Sequence, residues 1–212
     1  MRFLWSIFLL FWLTEAQDSL QPNYVYPLSY PPIPVNASSF LVAPPASWYG
    51  HGEYSISSSD SNMGWRVFDG SASTFWSSLP VYPSNLYNGT SSSPFPNARG
   101  EWIQLRLPTA ISLRSIKLSA SLNQGKVPTS FLLLGANTTN GPFIPLLTVT
   151  NESRWSTAQS IDYNVLTAPP LTHFRLVISN ATIGTGDSVA ISEISLLGID
   201  SETLILFLCC LH

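Results

Sequence analysis

The stretch Phe68-Asp69-Gly70-Ser71-Ala72-Ser73-Thr74 has the residue types of a tight turn, with a glycine to relieve a backbone position and small polar residues around it. In such a turn exposed carbonyls converge with the Asp69 carboxylate and the Thr74 hydroxyl. That is a set of hard oxygens, and the chemistry it offers is cation binding. Calcium takes about six to eight oxygens at about 2.3–2.6 Å, more than this turn supplies, so a second carboxylate from elsewhere in the chain is chemically welcome. Glu193 is the candidate, because an isolated acid in the apolar run Val189 to Gly198 needs a partner. The same residues admit a reading without metal, in which Asp69 caps the turn and Glu193 hydrogen-bonds backbone amides.

Other reactive groups are sparse. His51, His173 and His212 have no ligand-like spacing with each other or with cysteine, which speaks against zinc. No Gly-x-Ser-x-Gly elbow is present, and Asp162 and Asp187 are isolated acids that do not suggest a glycosidase pair. The expectation is therefore a binding protein rather than an enzyme. Trp65, Trp76, Trp102 and Trp155 sit beside strand and turn signals and are read mainly as core, whereas Trp48, Tyr49, Tyr82 and Tyr87 lie in Pro-, Gly- or Asn-rich surroundings that suit a ligand surface. With 9 Lys+Arg against 12 Asp+Glu and no basic run, the chain lacks the electrostatic footprint of a nucleic-acid binder. Charged residues are only 10% of the chain, and polarity comes instead from 32 Ser and 15 Thr, so the surface is expected to be nearly neutral.

These residues must be positioned by a chain of 212 residues, long enough for a core that folds unaided. Met1 and Arg2, the apolar stretch Phe3 to Leu13, and Thr14-Glu15-Ala16 read as a secretory signal peptide over residues 1–16, with the mature chain starting at Gln17. Five sequons, at Asn36, Asn88, Asn137, Asn151 and Asn180, fit an extracellular glycoprotein, with two to four of them expected to carry sugar. The only cysteines, Cys209 and Cys210, are adjacent and form no long-range disulfide. They lie in an apolar tail, residues 200–212, read as a dispensable end or as a weak membrane tether.

Gln17 to Ser47 holds seven prolines and reads as a semi-extended lead-in, with Ser39 to Val42 a candidate edge pairing. From Trp48 onward short apolar runs replace any helical period. Trp102 to Leu107 alternates, placing Ile103, Leu105 and Leu107 on one face, with Pro108 expected to stop the strand and Ile111 to Ala120 to follow as its partner. Phe131–Leu134, Phe143–Thr150, Ser160–Val165, His173–Ser179 and Val189–Gly198 complete the pattern of an antiparallel β-sandwich. In the last of these Val189 and Ile191 share one parity and Ile194 and Leu196 the other, which predicts a bulge near Ser192-Glu193.

Three segments go beyond a generic sandwich: Tyr54-Ser55-Ile56-Ser57-Ser58-Ser59 ahead of Gly64-Trp65-Arg66-Val67-Phe68-Asp69-Gly70-Ser71-Ala72-Ser73-Thr74-Phe75-Trp76; Gly100-Glu101-Trp102-Ile103-Gln104-Leu105; and Ile191-Ser192-Glu193-Ile194-Ser195-Leu196-Leu197-Gly198. In this order they resemble the discoidin, or coagulation-factor type C, domain of the galactose-binding-like superfamily, over residues 48–199. The resemblance implies an all-β, eight-stranded jelly-roll sandwich that binds sugars, glycoproteins or phospholipid surfaces through loops at one end, without catalysis. It also implies a structural calcium (Ca2+) shared by Asp69, Thr74 and Glu193. The chain departs from the clotting members in lacking their cysteine pair, and its loop from Ser77 to Arg99 is long.

The ligand end implied by the resemblance maps to Ser77–Arg99, Ser121–Val127 and Asn180–Asp187. In the first loop Tyr82 and Tyr87 would stack on a sugar face while Asn85 and Arg99 bond its hydroxyls. Trp48, Tyr49 and His51 are the next candidates. Glycans at Asn88 or Asn180 would crowd that face. The resulting expectation is a secreted or cell-surface module that recognises a cell-surface or matrix glycan or glycoprotein, the alternative being a protein- or phospholipid-binding adhesion module.

Overall fold

The structure, a computed structural model, describes residues 27–32, 34–35, 40–42, 49–59, 63–92, 98–121, 126–156, 159–182 and 187–200. The signal-peptide segment, Asn36, Trp48 and the Cys209-Cys210 tail lie outside them. Among the described residues ten strands run in chain order: β1 (Leu28–Tyr30), β2 (Phe40–Val42), β3 (Glu53–Ser58), β4 (Trp76–Ser77), β5 (Glu101–Ala120), β6 (Pro128–Ala136), β7 (Ile144–Val149), β8 (Ser160–Asn164), β9 (Leu171–Ala181) and β10 (Ala190–Asp200). Three 3-10 turns, Gly64–Phe68, Pro83–Asn85 and Arg154–Ser156, are the helical elements among the described residues.

All pairings are antiparallel, and β5 belongs to two sheets. Its first half lies between β3 and β9, with Ile103 opposite both Ser58 and Leu176, and β2, β6 and β7 extend that sheet. Its second half lies between β8 and β10, with Ile116 opposite both Tyr163 and Leu196, and β1 and β4 pair with β10. The two sheets enclose one main core, in which Ile103, Leu105 and Leu107 from the first half meet Ile111, Leu113, Ile116 and Leu118 from the second. The Phe131 and Tyr163 rings, one from each sheet, meet edge to face at 5.0 Å. This is the all-β jelly-roll sandwich that the sequence implied, with ten strands in place of eight because the Pro-rich lead-in contributes two.

Two expectations change. Pro108 does not end the strand, and Ile111–Ala120 does not fold back on Trp102–Leu107: residues 101–120 form one continuous strand. Proline is tolerated where ladder bonds lapse, and Pro108 sits in the interruption of the β5–β9 register between Arg106 and Ile111, the corner at which β5 changes sheets. Gly52 backs onto that corner at φ +133°, where an added Cβ would come within 2.2 Å of Pro108 Cβ. The described part of the lead-in packs into the sandwich. Tyr30 and Val35 are buried in the main core, β1 pairs with Leu196–Gly198, and the Val35 amide donates to the Phe68 carbonyl at 2.8 Å.

The expected bulge in β10 is present. The register against β5 shifts between Ile191, opposite Ala120, and Glu193, opposite Ser119. Both ends of β5 reach the same end of the sandwich, since Glu101 pairs with Ile178 near the end of β9 and Ala120 with Ile191 near the start of β10. The three long connections therefore gather there.

Candidate functional site

The turn after Phe68 is closed by its own side chains. Gly70 takes φ +71°, a backbone conformation that favours glycine. The Ser71 amide donates to Asp69 Oδ1 at 2.9 Å, and the Thr74 hydroxyl lies 2.7 Å from Asp69 Oδ2 and 3.0 Å from the Ser71 carbonyl oxygen. The β10 bulge brings the Glu193 side chain to this turn. Burial raises its carboxyl pKa to about 7, and the charge of Asp69 pushes the same way, while the amides of Gly70 and Ser71 oppose both. Glu193 Oε1 is buried without a hydrogen-bond partner.

Asp69, Thr74 and Glu193 thus lie together, and the orphaned carboxylate oxygen is the observation that tests the fit of a cation. Two facing carboxylates repel, and a divalent ion cancels that repulsion while satisfying the free oxygen. The donors are all oxygens, as calcium prefers and zinc does not. Among the described residues no group of three or more His, Cys, Asp or Glu side chains is positioned for a metal, so carbonyls, hydroxyls and water would have to complete the shell.

At the end where both ends of β5 meet, the connections are tied to one another. The Ser78 amide donates to Val189 O at 3.0 Å, Tyr82 N to Asp187 O at 2.8 Å, Tyr87 N to Ser179 O at 3.0 Å, Thr182 N to Val127 O at 2.9 Å and Ala190 N to Lys126 O at 2.8 Å. Of the four ligand residues expected here, Asn85 and Arg99 are exposed, with Arg99 Nη2 donating to Gly89 O at 3.1 Å. The tyrosines are placed differently. Tyr82 is 0% exposed, its hydroxyl donating to Ile178 O at 2.9 Å and accepting from the Glu101 amide at 3.3 Å, so its ring is core and offers no face for stacking. Tyr87 is half-buried, packs against Tyr82, and donates to Glu101 Oε1 at 2.9 Å.

Glu101 is a residue that sequence reasoning missed, although its position at the head of an apolar strand was a signal. Its buried carboxylate accepts from the hydroxyls of Tyr87 and Ser59 and pins the 81–92 loop to the sheet. The same end exposes three large apolar side chains that no motif pointed to: Met63, Leu79 and Leu86, 47%, 55% and 58% exposed. Of the second-rank candidates, Tyr49 stacks edge-on against Tyr30 beside the Pro108 corner, away from the loop end.

No protein-family model and no curated protein sequence matches the chain. Solved structures do match. A chitosan-binding module 1 derived from a chitosanase/glucanase of Paenibacillus sp. IK-5 aligns at TM-score 0.50 with 16% identity, over 67% of this chain and 92% of that one. A selenomethionine-labelled mutant of the same module aligns at 0.51 with 17% identity, over 68% and 93%. The family 32 carbohydrate-binding module of Clostridium perfringens NanJ, in complex with galactose, aligns at 0.49 with 15% identity, over 68% and 93%. The fold is a jelly-roll β-sandwich of the kind these chitosan-binding modules have. At these identities the likeness is one of architecture alone.

Proposed function

We propose that this discoidin-type chain is a non-catalytic saccharide-binding module, exported and N-glycosylated, whose sandwich is stabilised by calcium. The observation that carries the reading is the sandwich itself, with its connections hydrogen-bonded into one end, in an architecture shared with modules described as chitosan-binding. The low charge of the chain and its wealth of hydroxyls support a neutral, hydroxyl-bearing ligand. Asp69, Thr74 and Glu193 would hold the ion, which supplies the positive charge that lets both carboxylates stay ionised side by side.

A second reading is favoured by Met63, Leu79 and Leu86. Exposed apolar side chains at one end also suit contact with a lipid or protein surface. A screen of the secreted full chain on a glycan array and on phosphatidylserine-containing liposomes, with calcium or with chelator, separates the two. Retention on glycans without liposome binding supports the saccharide module. Liposome binding alone, lost in a Leu79→Ser/Leu86→Ser variant, refutes it in favour of the second reading.

A further inference from the structure

We infer that the saccharide site is a hydroxyl-lined groove beside the Asp69–Thr74 turn, rather than the tips of the loops, and that it takes a single neutral sugar ring. The inference rests on the saccharide-binding reading above and gives that reading a location. The groove encloses about 290 Å³ and is lined by Ala72, Ser119, Ser121, Gln159, Ser160, Ser192 and the backbone between them, with Glu193 on its wall. It crosses the ends of three adjacent strands, since Ser119 of β5 lies opposite both Ser160 of β8 and Glu193 of β10.

The lining is built for hydroxyl exchange. The Ser119 and Ser160 hydroxyls are 2.8 Å apart, and the Ser192 hydroxyl donates to Ser119 O at 3.0 Å, so the oxygens are fixed in place. A serine hydroxyl offers one donor and two acceptor positions, and the Ser119–Ser160 pair consumes only one of its two protons internally. The Gln159 amide adds donors and an acceptor on the rim. This matches a sugar, whose hydroxyls both give and accept. The volume lies at the bottom of the range for ligand sites, about 300–1,000 Å³, which suits one ring and not an extended chain.

Charge sets the class of sugar. Among the described residues Glu193 is the one ionisable group in the lining, and no Lys, Arg or His is part of it. With calcium held by Asp69 and Glu193 the ion's charge is already cancelled, so a uronic or sialic acid would lose water from its carboxylate with no cationic side chain among the described lining residues to receive it. Neutral hexoses and N-acetylhexosamines carry no such penalty. The loop tips offer less: the Tyr82 ring is core, the Tyr87 hydroxyl is committed to Glu101, and the exposed sequon residue Asn88 stands among them. None of the four described sequon asparagines lines the groove.

The test uses the full secreted chain with calcium present. The probes are immobilised galacto-, manno- and N-acetylated chito-oligosaccharides, with polygalacturonate and polymannuronate as charged counterparts. Ala72 and Ser160 are exposed, so Ala72→Trp and Ser160→Trp fill the groove without disturbing the core. Each is expected to weaken retention on the neutral sugars at least tenfold with the melting temperature unchanged, while Asn85→Ala/Arg99→Ala at the loop tips stays within twofold of wild type. Wild-type retention that survives both tryptophans, or falls with the loop-tip variant instead, overturns the groove and leaves the saccharide module standing. Tenfold preference for the uronates overturns the neutral class. A wild-type chain retained on no sugar overturns the saccharide reading and the groove with it.

Discussion

Replacing Glu193 by glutamine keeps the size of the side chain and removes one of the two facing charges, so its effect on stability should reverse with calcium. In the metal-free protein the Glu193 carboxyl holds its proton up to about pH 7, against an ordinary value of 4.5. At about 1.4 kcal/mol per tenfold change in proton affinity this difference is bounded at about 3 kcal/mol, and partial solvent contact reduces it to about 1–2 kcal/mol. Between those pH values the folded state binds more protons than the unfolded state. The contribution is therefore present below pH 4.5 and lost as pH rises through about 7. In chelator at pH 8, Glu193→Gln should melt about 2–8 °C above wild type, taking about 2–4 °C per kcal/mol for a chain of this size. Calcium at one hundred times its dissociation constant adds about 2.7 kcal/mol to wild type and little to the variant, which reverses the order. Thermal melts at pH 5 and pH 8, each with calcium or chelator, read all four quantities. A variant less stable than wild type in chelator at pH 8, with an undiminished calcium response, would show that Glu193 is an ordinary hydrogen-bonded acid and refute the paired-carboxylate argument.

Tyr82→Phe should cost about 1–3 kcal/mol in denaturant melts, because the Ile178 carbonyl and Glu101 amide lose a buried partner, and should leave sugar retention unchanged; the reverse outcome would return Tyr82 to the binding face. Gly52→Ala should lower the melting temperature, since its Cβ would press on Pro108 at 2.2 Å from a backbone with φ +133°, and an unchanged melt would mean the corner is slack. Material secreted from a eukaryotic cell should begin at Gln17, and peptide mass spectrometry should find glycan at the exposed Asn88, Asn137 and Asn151. Asn180, half-buried and bridged to Leu86 on one side and paired with Ser130 on the other, should be unmodified.

The sequence was most legible where a local pattern and a tertiary demand coincide. The alternation of Ile103, Leu105 and Leu107 and the parity slip at Ser192-Glu193 are both written into the side-chain order, and both appear in the sheet. Asp69 and Thr74 lie within one turn, so their meeting could be read locally; Glu193 joins them only because the bulge turns it toward the turn. Pro108 was misread because a proline without its ladder partners looks the same at a strand end and at a corner. Tyr82 was misread because Pro83 and Asn85 signal a loop correctly, while nothing local says that the loop folds back so that its amide reaches Asp187 and its hydroxyl Ile178. The lead-in prolines hid Tyr30 and Val35 in the same way, for burial of a short segment depends on partners far along the chain.

The pairing of Tyr30 with Leu196 joins the two extremes of the described chain. A ribosome makes β1 first and β10 last, so the earliest strand must wait, with its tyrosine exposed, until nearly everything else has emerged. The sandwich can close only once the two halves of β5 have found β9 and β10, contacts of long sequence separation that favour slow folding. In the glycosylated chain proposed above, sugars added early to exposed asparagines would keep such a waiting strand in solution.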